Sequence, residues 1–506
     1  MLHKSTLRRS AFLIATILST SLVQPALAQA DLVTIVVTDE PKSLDPCDTD
    51  LSNNARILRN NVTETLVNLD PANGEVLPSL ATEWRQVDDL TWEFKLREGV
   101  TFHDGSTFDA AAVVAALARA TNADLGCEVG LATLQGNTFT GEAVNATTLL
   151  IKTGTVEPIL PNKMSALDIG APVTPANAKT REPIGTGPYA LAAWTAGQSV
   201  ALKAFDGYWG DKPAVAGANI VWRGESAVRA AMVDTGEAQI AFEIAPQDAT
   251  SANDIAFPNA ETSLLRIDQA IAPLDDKRVR EALNLAIDRD GLIGTVFNEG
   301  ATKAMQVVLP SVFGYNPNIP VWPYDPDRAR ALLDEARADG VPVDTEIVLY
   351  GRIGIYPNSA ESMEAIQAML LDVGFNARLE MMETTPWLEK LIGPLPAERQ
   401  PSVLQTQIDN TEGDAVFTLP NRFTSGGNTS TLSDQVVDEL IAKASAATGD
   451  ERQSLFQQAF ANIAVEAINI VPLFHMVTIA RVSPDLNYVP DVQAGNEIKL
   501  RSISYK

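Results

Sequence analysis

The chain has 506 residues, of which 45% are hydrophobic and 20% charged, enough to bury a large core in two or three lobes and unlike a disordered or fibrous polymer. Its formal charge of −26 at pH 7 argues against nucleic acid and anionic lipid as partners. That acidity reads as solubility in an exported protein.

Taken in chain order, the first feature is a leader. Lys4, Arg8 and Arg9 precede the apolar stretch Ala11 to Val23, followed by Ala26-Leu27-Ala28, a small-x-small cleavage site, so the spacing predicts a signal peptide over 1–28 cut after Ala28. As a helix the apolar stretch would reach only about 20 Å, short of a bilayer core of about 30 Å, and no later segment is long and apolar enough to span. Ser10-Ala11-Phe12 sets the aromatic one position late for a twin-arginine signal, so the leader reads as Sec type. No cysteine stands at the cleavage site to carry a lipid, and the expected location is the periplasm.

Leu32 to Thr38 alternates β-branched residues and predicts a strand ending at Asp39-Glu40-Pro41. A helix is predicted from about Asn53 to Val67, a strand from Thr91 to Leu96, and an Ala-rich helix capped by Asp109 and running to Ala120. Tyr189 to Trp194 and Ser199 to Phe205 read as a hairpin turning at Ala196-Gly197-Gln198. Asp275 and Asp276 offer N-terminal carboxylates to a helix whose Val279, Ala282, Leu283, Ala286 and Ile287 recur on one face. Asp325-Pro326 starts another helix, Glu346 to Tyr350 is a strand, and Ser362 to Leu371 a helix. Trp387 starts a helical turn with Leu388 and Leu391, and two late helical stripes contain Val437 with Ile441 and Phe456 with Phe460. Strands and helices are interspersed throughout, which gives an α/β class with mixed sheets.

Cys47 and Cys127 are the only cysteines. In an oxidising compartment they can form a disulfide contributing about 4 kcal/mol in the chain-entropy model, the alternative being two buried thiols. The turn Gly185-Thr186-Gly187-Pro188 is read as using glycines for positive φ, and it lacks the spacing and Lys of a phosphate loop. Phe102, Trp84, Trp92 and Trp209 are read as core aromatics. The chain has no Gly-x-Ser-x-Gly, His-Glu-x-x-His or Cys-x-x-Cys, and beyond the leader only His103 and His475 remain, both read as structural. An enzyme is therefore not expected, nor a cofactor or a bound metal; carboxylate pairs such as Asp275-Asp276 or Glu225 with Glu237 sit on predicted caps and surfaces.

Several words recur in a fixed order: Pro41-Lys42-Ser43-Leu44-Asp45-Pro46, Pro78-Ser79-Leu80-Ala81-Thr82-Glu83-Trp84, Phe94 to Gly105, Gly185 to Tyr189, Tyr208-Trp209-Gly210, Pro273 to Ile293 and Tyr324 to Ala336. In this order they resemble the extracytoplasmic solute-binding proteins of peptide, opine and nickel ABC importers, bacterial solute-binding family 5. The resemblance implies a two-lobed clamshell with mixed sheets and an extra N-terminal subdomain: lobe I over 29–270 with an inserted subdomain at about 60–183, lobe II over 271–471, and a return to lobe I over 472–506. It implies a monomer that captures short peptides or peptide-like solutes and passes them to an inner-membrane ABC permease. Opines, sugars, metal chelates or presentation to a chemoreceptor are the alternatives. By the same resemblance, Asp50, Leu51 and Ser52 line one side of the ligand, Trp387 is a pocket aromatic, and Asp409, Asn410, Thr411 and Glu412 form the opposite side. Peptide binders carry an Asp where this chain has Thr411, leaving Asp409 or Glu412 to receive a ligand ammonium. Ala112, Phe205 and Gln239 also depart from the family pattern.

Overall fold

Capping carboxylates and alternating apolar residues set the elements locally. The computed structural model describes residues 32–49, 54–70, 74–134, 136–493 and 497–506. The predicted leader lies outside them. Leu32–Val37 is a strand, and Tyr189–Thr195 pairs with Ser199–Ala204 as an antiparallel hairpin. Asp109 accepts from the Ala112 amide at 3.0 Å and starts the helix Ala110–Ala120. Asp276 accepts from the Arg278 amide at 2.8 Å and starts Lys277–Leu285, which buries Val279, Ala282 and Leu283.

One predicted helix is cut short: only Asn54–Leu58 is helical, and Asn60 turns out of it at φ 58°. The residues beyond are committed elsewhere. The Asn61 side chain donates to the Ile498 carbonyl at 2.7 Å and accepts from the Leu500 amide at 3.0 Å, while buried Glu64 accepts from Thr186, Tyr208 and Trp209. Such tertiary bonds outweigh a weak helical preference. The same packing corrects the reading of the glycine turn. Gly185 and Gly187 do not adopt positive φ; a Cβ there would meet the Val62 carbonyl oxygen at 2.0 Å and that of Asn61 at 2.3 Å, so close backbone approach is what excludes a side chain.

The main sheet has 11 strands and runs through both lobes. At one end Ala377–Met382, Ile347–Arg352 and Ser402–Asp409 are neighbours, and at the other Leu32–Val37, Gly217–Trp222 and the hairpin. Between them lie two long antiparallel strands, Asp254–Ile267 and Ile470–Val482, which cross from one lobe to the other. Their ladder slips between Pro258 and Thr262, where Asp254–Ile267 carries extra residues opposite its partner. The crossing strands also change cores there. Phe257, Ala480 and Val482 belong to the cluster around Ile35 and Tyr189; Leu265, Leu473 and Phe474 belong to the cluster around Leu283 and Leu349. A separate four-stranded sheet and the helix Ala110–Ala120 enclose a further core with Phe94 and Phe102, to which the disulfide Cys47–Cys127 belongs, with a sulfur–sulfur distance of 2.08 Å. Among the described residues no helix is long and apolar enough to cross a membrane.

Candidate functional site

Where the crossing strands change cores, a cavity of about 790 Å³ opens between the lobes. Its lining includes six acidic and four basic side chains, a concentration of charge that only a polar guest can satisfy. On the side of the first strand, Arg56 forms an ion pair with Glu243, whose backbone holds φ 58°. Burial works against ionisation of Glu243, but the Arg56 guanidinium outweighs it and keeps that carboxyl below the usual range.

The opposite wall is built on the strands. Glu261 and Asp409 stand directly opposite each other in the ladder of Asp254–Ile267 with Ser402–Asp409, so both carboxylates share one face. Glu261 Oε2 accepts from Asn259 Nδ2 at 3.0 Å and from Gln407 Nε2 at 2.6 Å, while Oε1 has no hydrogen-bond partner among the described residues. Burial, reinforced by the Asp409 charge, pushes the Glu261 carboxyl up to about 8.

Two arginines complete this wall. Arg352, the last residue of its strand, lies over the Trp387 ring at 5.0 Å from the centroid, and its Nε is buried without a hydrogen-bond partner among the described residues. Arg422, on the short helix Leu419–Phe423, is brought down to about 10 by burial, with the charges of Asp409 and Glu412 acting the other way. Neither guanidinium forms an ion pair among the described residues. The platform under Arg352 is fixed: Trp387 Nε1 donates to the Gln405 carbonyl at 2.9 Å, and the Gln405 side chain accepts from the Arg352 amide at 2.9 Å while donating to Tyr356 at 2.8 Å.

Of the residues named from sequence, Trp387 and Asp409 line this cavity. Asp50, Leu51 and Ser52 fall outside the described residues. Asn410, Thr411 and Glu412 do not line it, because the strand ends at Asp409 and the chain turns away at Gly413, φ 67°. Asn410 is buried and donates to the Ala260 carbonyl at 3.0 Å, whereas Thr411 and Glu412 border a smaller cleft of about 250 Å³ beside Arg59 and Lys499. Asp414 is held bidentately by Arg452 at 2.6 and 2.7 Å, a buried structural pair. His103 bridges Gly185 and Gly187, and His475 contacts Thr262 at 2.9 Å, with burial bringing it down to about 4. Sequence reasoning missed Arg56, Glu243, Glu261, Arg352 and Arg422, none of which belongs to a motif; the one available cue was a charged residue inside or ending a strand that is otherwise buried.

Comparison with known proteins supplies the context for this geometry. A family model described as bacterial extracellular solute-binding proteins, family 5 middle, matches residues 75–436. A glutathione-binding protein GsiB of Salmonella paratyphi A is 32% identical over 466 residues, covering 86% of this chain and 87% of the relative. The GsiB of Escherichia coli K12 is 32% identical over 378 residues, 71% and 72% of the two chains. Among solved structures, NikA from Brucella suis in complex with Fe(III)-EDTA matches with a TM-score of 0.81 at 23% identity, covering 94% of this chain and 100% of that one. DppA from Helicobacter pylori in complex with the peptide STSA matches with a TM-score of 0.78 at 20% identity, covering 94% and 98%.

Proposed function

The chain belongs to the bacterial extracellular solute-binding proteins of family 5, and on that premise we propose that it captures short peptides or peptide-like solutes in the periplasm, once its leader is cut after Ala28, and delivers them to an inner-membrane ABC permease. The observation that carries this reading is the cleft between the lobes, whose walls offer both acidic and basic side chains to one guest. A peptide presents an ammonium, a carboxylate and amide groups together, and only a site with both signs of charge can satisfy them out of water. The described part of the site offers no nucleophile paired with a base. His103 and His475 are engaged within the scaffold, and the family is one of solute-binding proteins, which supports a reading of binding without turnover. The relatives named for glutathione favour a peptide-like solute over a sugar.

Thermal shift of the purified mature protein tests this against di- and tripeptides, glutathione, opines, oligosaccharides and nickel chelates. A ligand at a hundred times its dissociation constant adds about 2.7 kcal/mol, a clear rise in Tm. A rise with sugars or chelates and none with any peptide or opine would reassign the ligand class.

A further inference from the structure

Two guanidinium groups without ion pairs among the described residues face the same cleft from the second lobe. Burying an unpaired cation is costly, so two guanidinium groups that the described residues leave without an ion pair suit anions brought by the guest. Arg352 is held in place by its stacking on Trp387 and by the Gln405 side chain at its own amide, and its Nε is buried without a hydrogen-bond partner among the described residues. Arg422 approaches from a different element; it feels the charges of Asp409 and Glu412 but forms no ion pair among the described residues. Glu261 and Asp409 stand side by side on the strands of this wall. Resting on the reading that the cleft holds a peptide-like solute, we propose that its ligand is an acidic zwitterion with two acid groups, one set on Arg352 and one on Arg422, and one ammonium group set at Glu261 and Asp409.

The charges balance under this assignment. Each acid group neutralises one arginine and the ammonium neutralises Asp409, while Glu261, whose carboxyl burial and the Asp409 charge push up to about 8, keeps its proton and accepts from the ammonium. A peptide with a single carboxylate leaves one guanidinium buried and unpaired, so selectivity arises from the cost of that unmet charge as well as from the ion pair a second acid group forms.

Calorimetry with matched probes tests the assignment: Ala-Glu-Gly against Ala-Gln-Gly, and glutathione against its glycyl monoethyl ester and its N-acetyl derivative. Removing one acid group or the ammonium should weaken binding about ten- to a hundredfold in at least one series. The preference for Ala-Glu-Gly or for glutathione should vanish in Arg352→Gln or in Arg422→Gln, while the neutralised probe keeps its affinity. Without added probe, Arg422→Gln should melt no lower than the parent, as expected of a cation with no ion pair among the described residues, whereas loss of a structural arginine would lower the Tm. If charged and neutralised probes bind equally, or the preference survives both substitutions, the assignment is wrong and peptide capture stands. If no probe in the panel binds, the assignment falls, and the thermal-shift panel decides separately whether peptide capture does.

Discussion

Glu261 illustrates how a single carboxyl can carry the pH response of the site. Among the described residues its Oε2 takes two amide donors and its Oε1 has none, so the uncharged acid fits the contacts on the protein side. With the folded group pushed up to about 8, the unfolded chain releases its proton in the ordinary carboxylate range while the folded chain keeps it. Across that window the folded state binds more protons, so stability falls as pH rises and the loss is complete above about 8. Glu261→Gln preserves the two accepted bonds and carries no proton to lose. The gap in Tm between this variant and the parent should therefore widen in favour of the variant between about pH 5 and pH 8, corresponding to a stability difference of a few kcal/mol. An equal gap at the two ends would show that Glu261 is ionised throughout. Such a residue is hard to find by reading the chain. Asp409 and Trp387 are legible because they lie in segments that match a family; Glu261, Arg352 and Arg422 acquire their roles from burial and from neighbours distant in sequence.

At the scale of elements, capped helices and the hairpin are readable because their signals are local: Asp109, Asp276 and the Pro326 helix each contain their own start. The crossing strands are not, since Ile470–Val482 is buried along its whole length and has no alternation to detect. The segment after Leu58 misleads for the opposite reason, a plausible periodicity overruled by hydrogen bonds to residues over 100 positions away. The link between Cys47 and Cys127 joins two such distant pieces. Cys47 lies in a short 3-10 turn and Cys127 immediately before the helix Glu128–Ala132, whose Glu128 borders the main cavity. Replacing both cysteines by alanine frees a chain segment of 80 residues in the unfolded state, which the chain-entropy model values at about 4 to 5 kcal/mol. The expected result is a lower Tm in the double variant, reproduced in the parent by a reductant. An unchanged Tm would mean that the link constrains the unfolded chain little, leaving the Asp45 pair with Arg119 and the packing around Leu117 to fix these pieces in the folded one.

For the whole molecule, the decisive point is that one sheet joins two bodies whose cores do not merge. The clusters around Ile35 and around Leu283 each close on themselves, and the strands between them lose register at the cavity, between Pro258 and Thr262. Rotating one lobe against the other therefore disturbs a short irregular stretch of ladder and leaves both cores intact, the condition for a hinge of low cost. What decides between positions of that hinge is the cleft itself. It offers Arg56 and Glu243 on one wall and Arg352, Arg422 and Asp409 on the other to the same guest. A ligand shifts the hinge only by its extra affinity for the closed arrangement, and contacts made to both walls at once are the source of that difference. Small-angle scattering should accordingly show the radius of gyration falling when a saturating ligand from the calorimetric panel is added. The fall should be smaller in Arg56→Gln, which removes the cation paired with Glu243 on one wall. An unchanged radius on saturation would mean that the guest enters a cleft already shut, and that the slipped ladder is a device for presenting Asn259 and Glu261 instead of a joint.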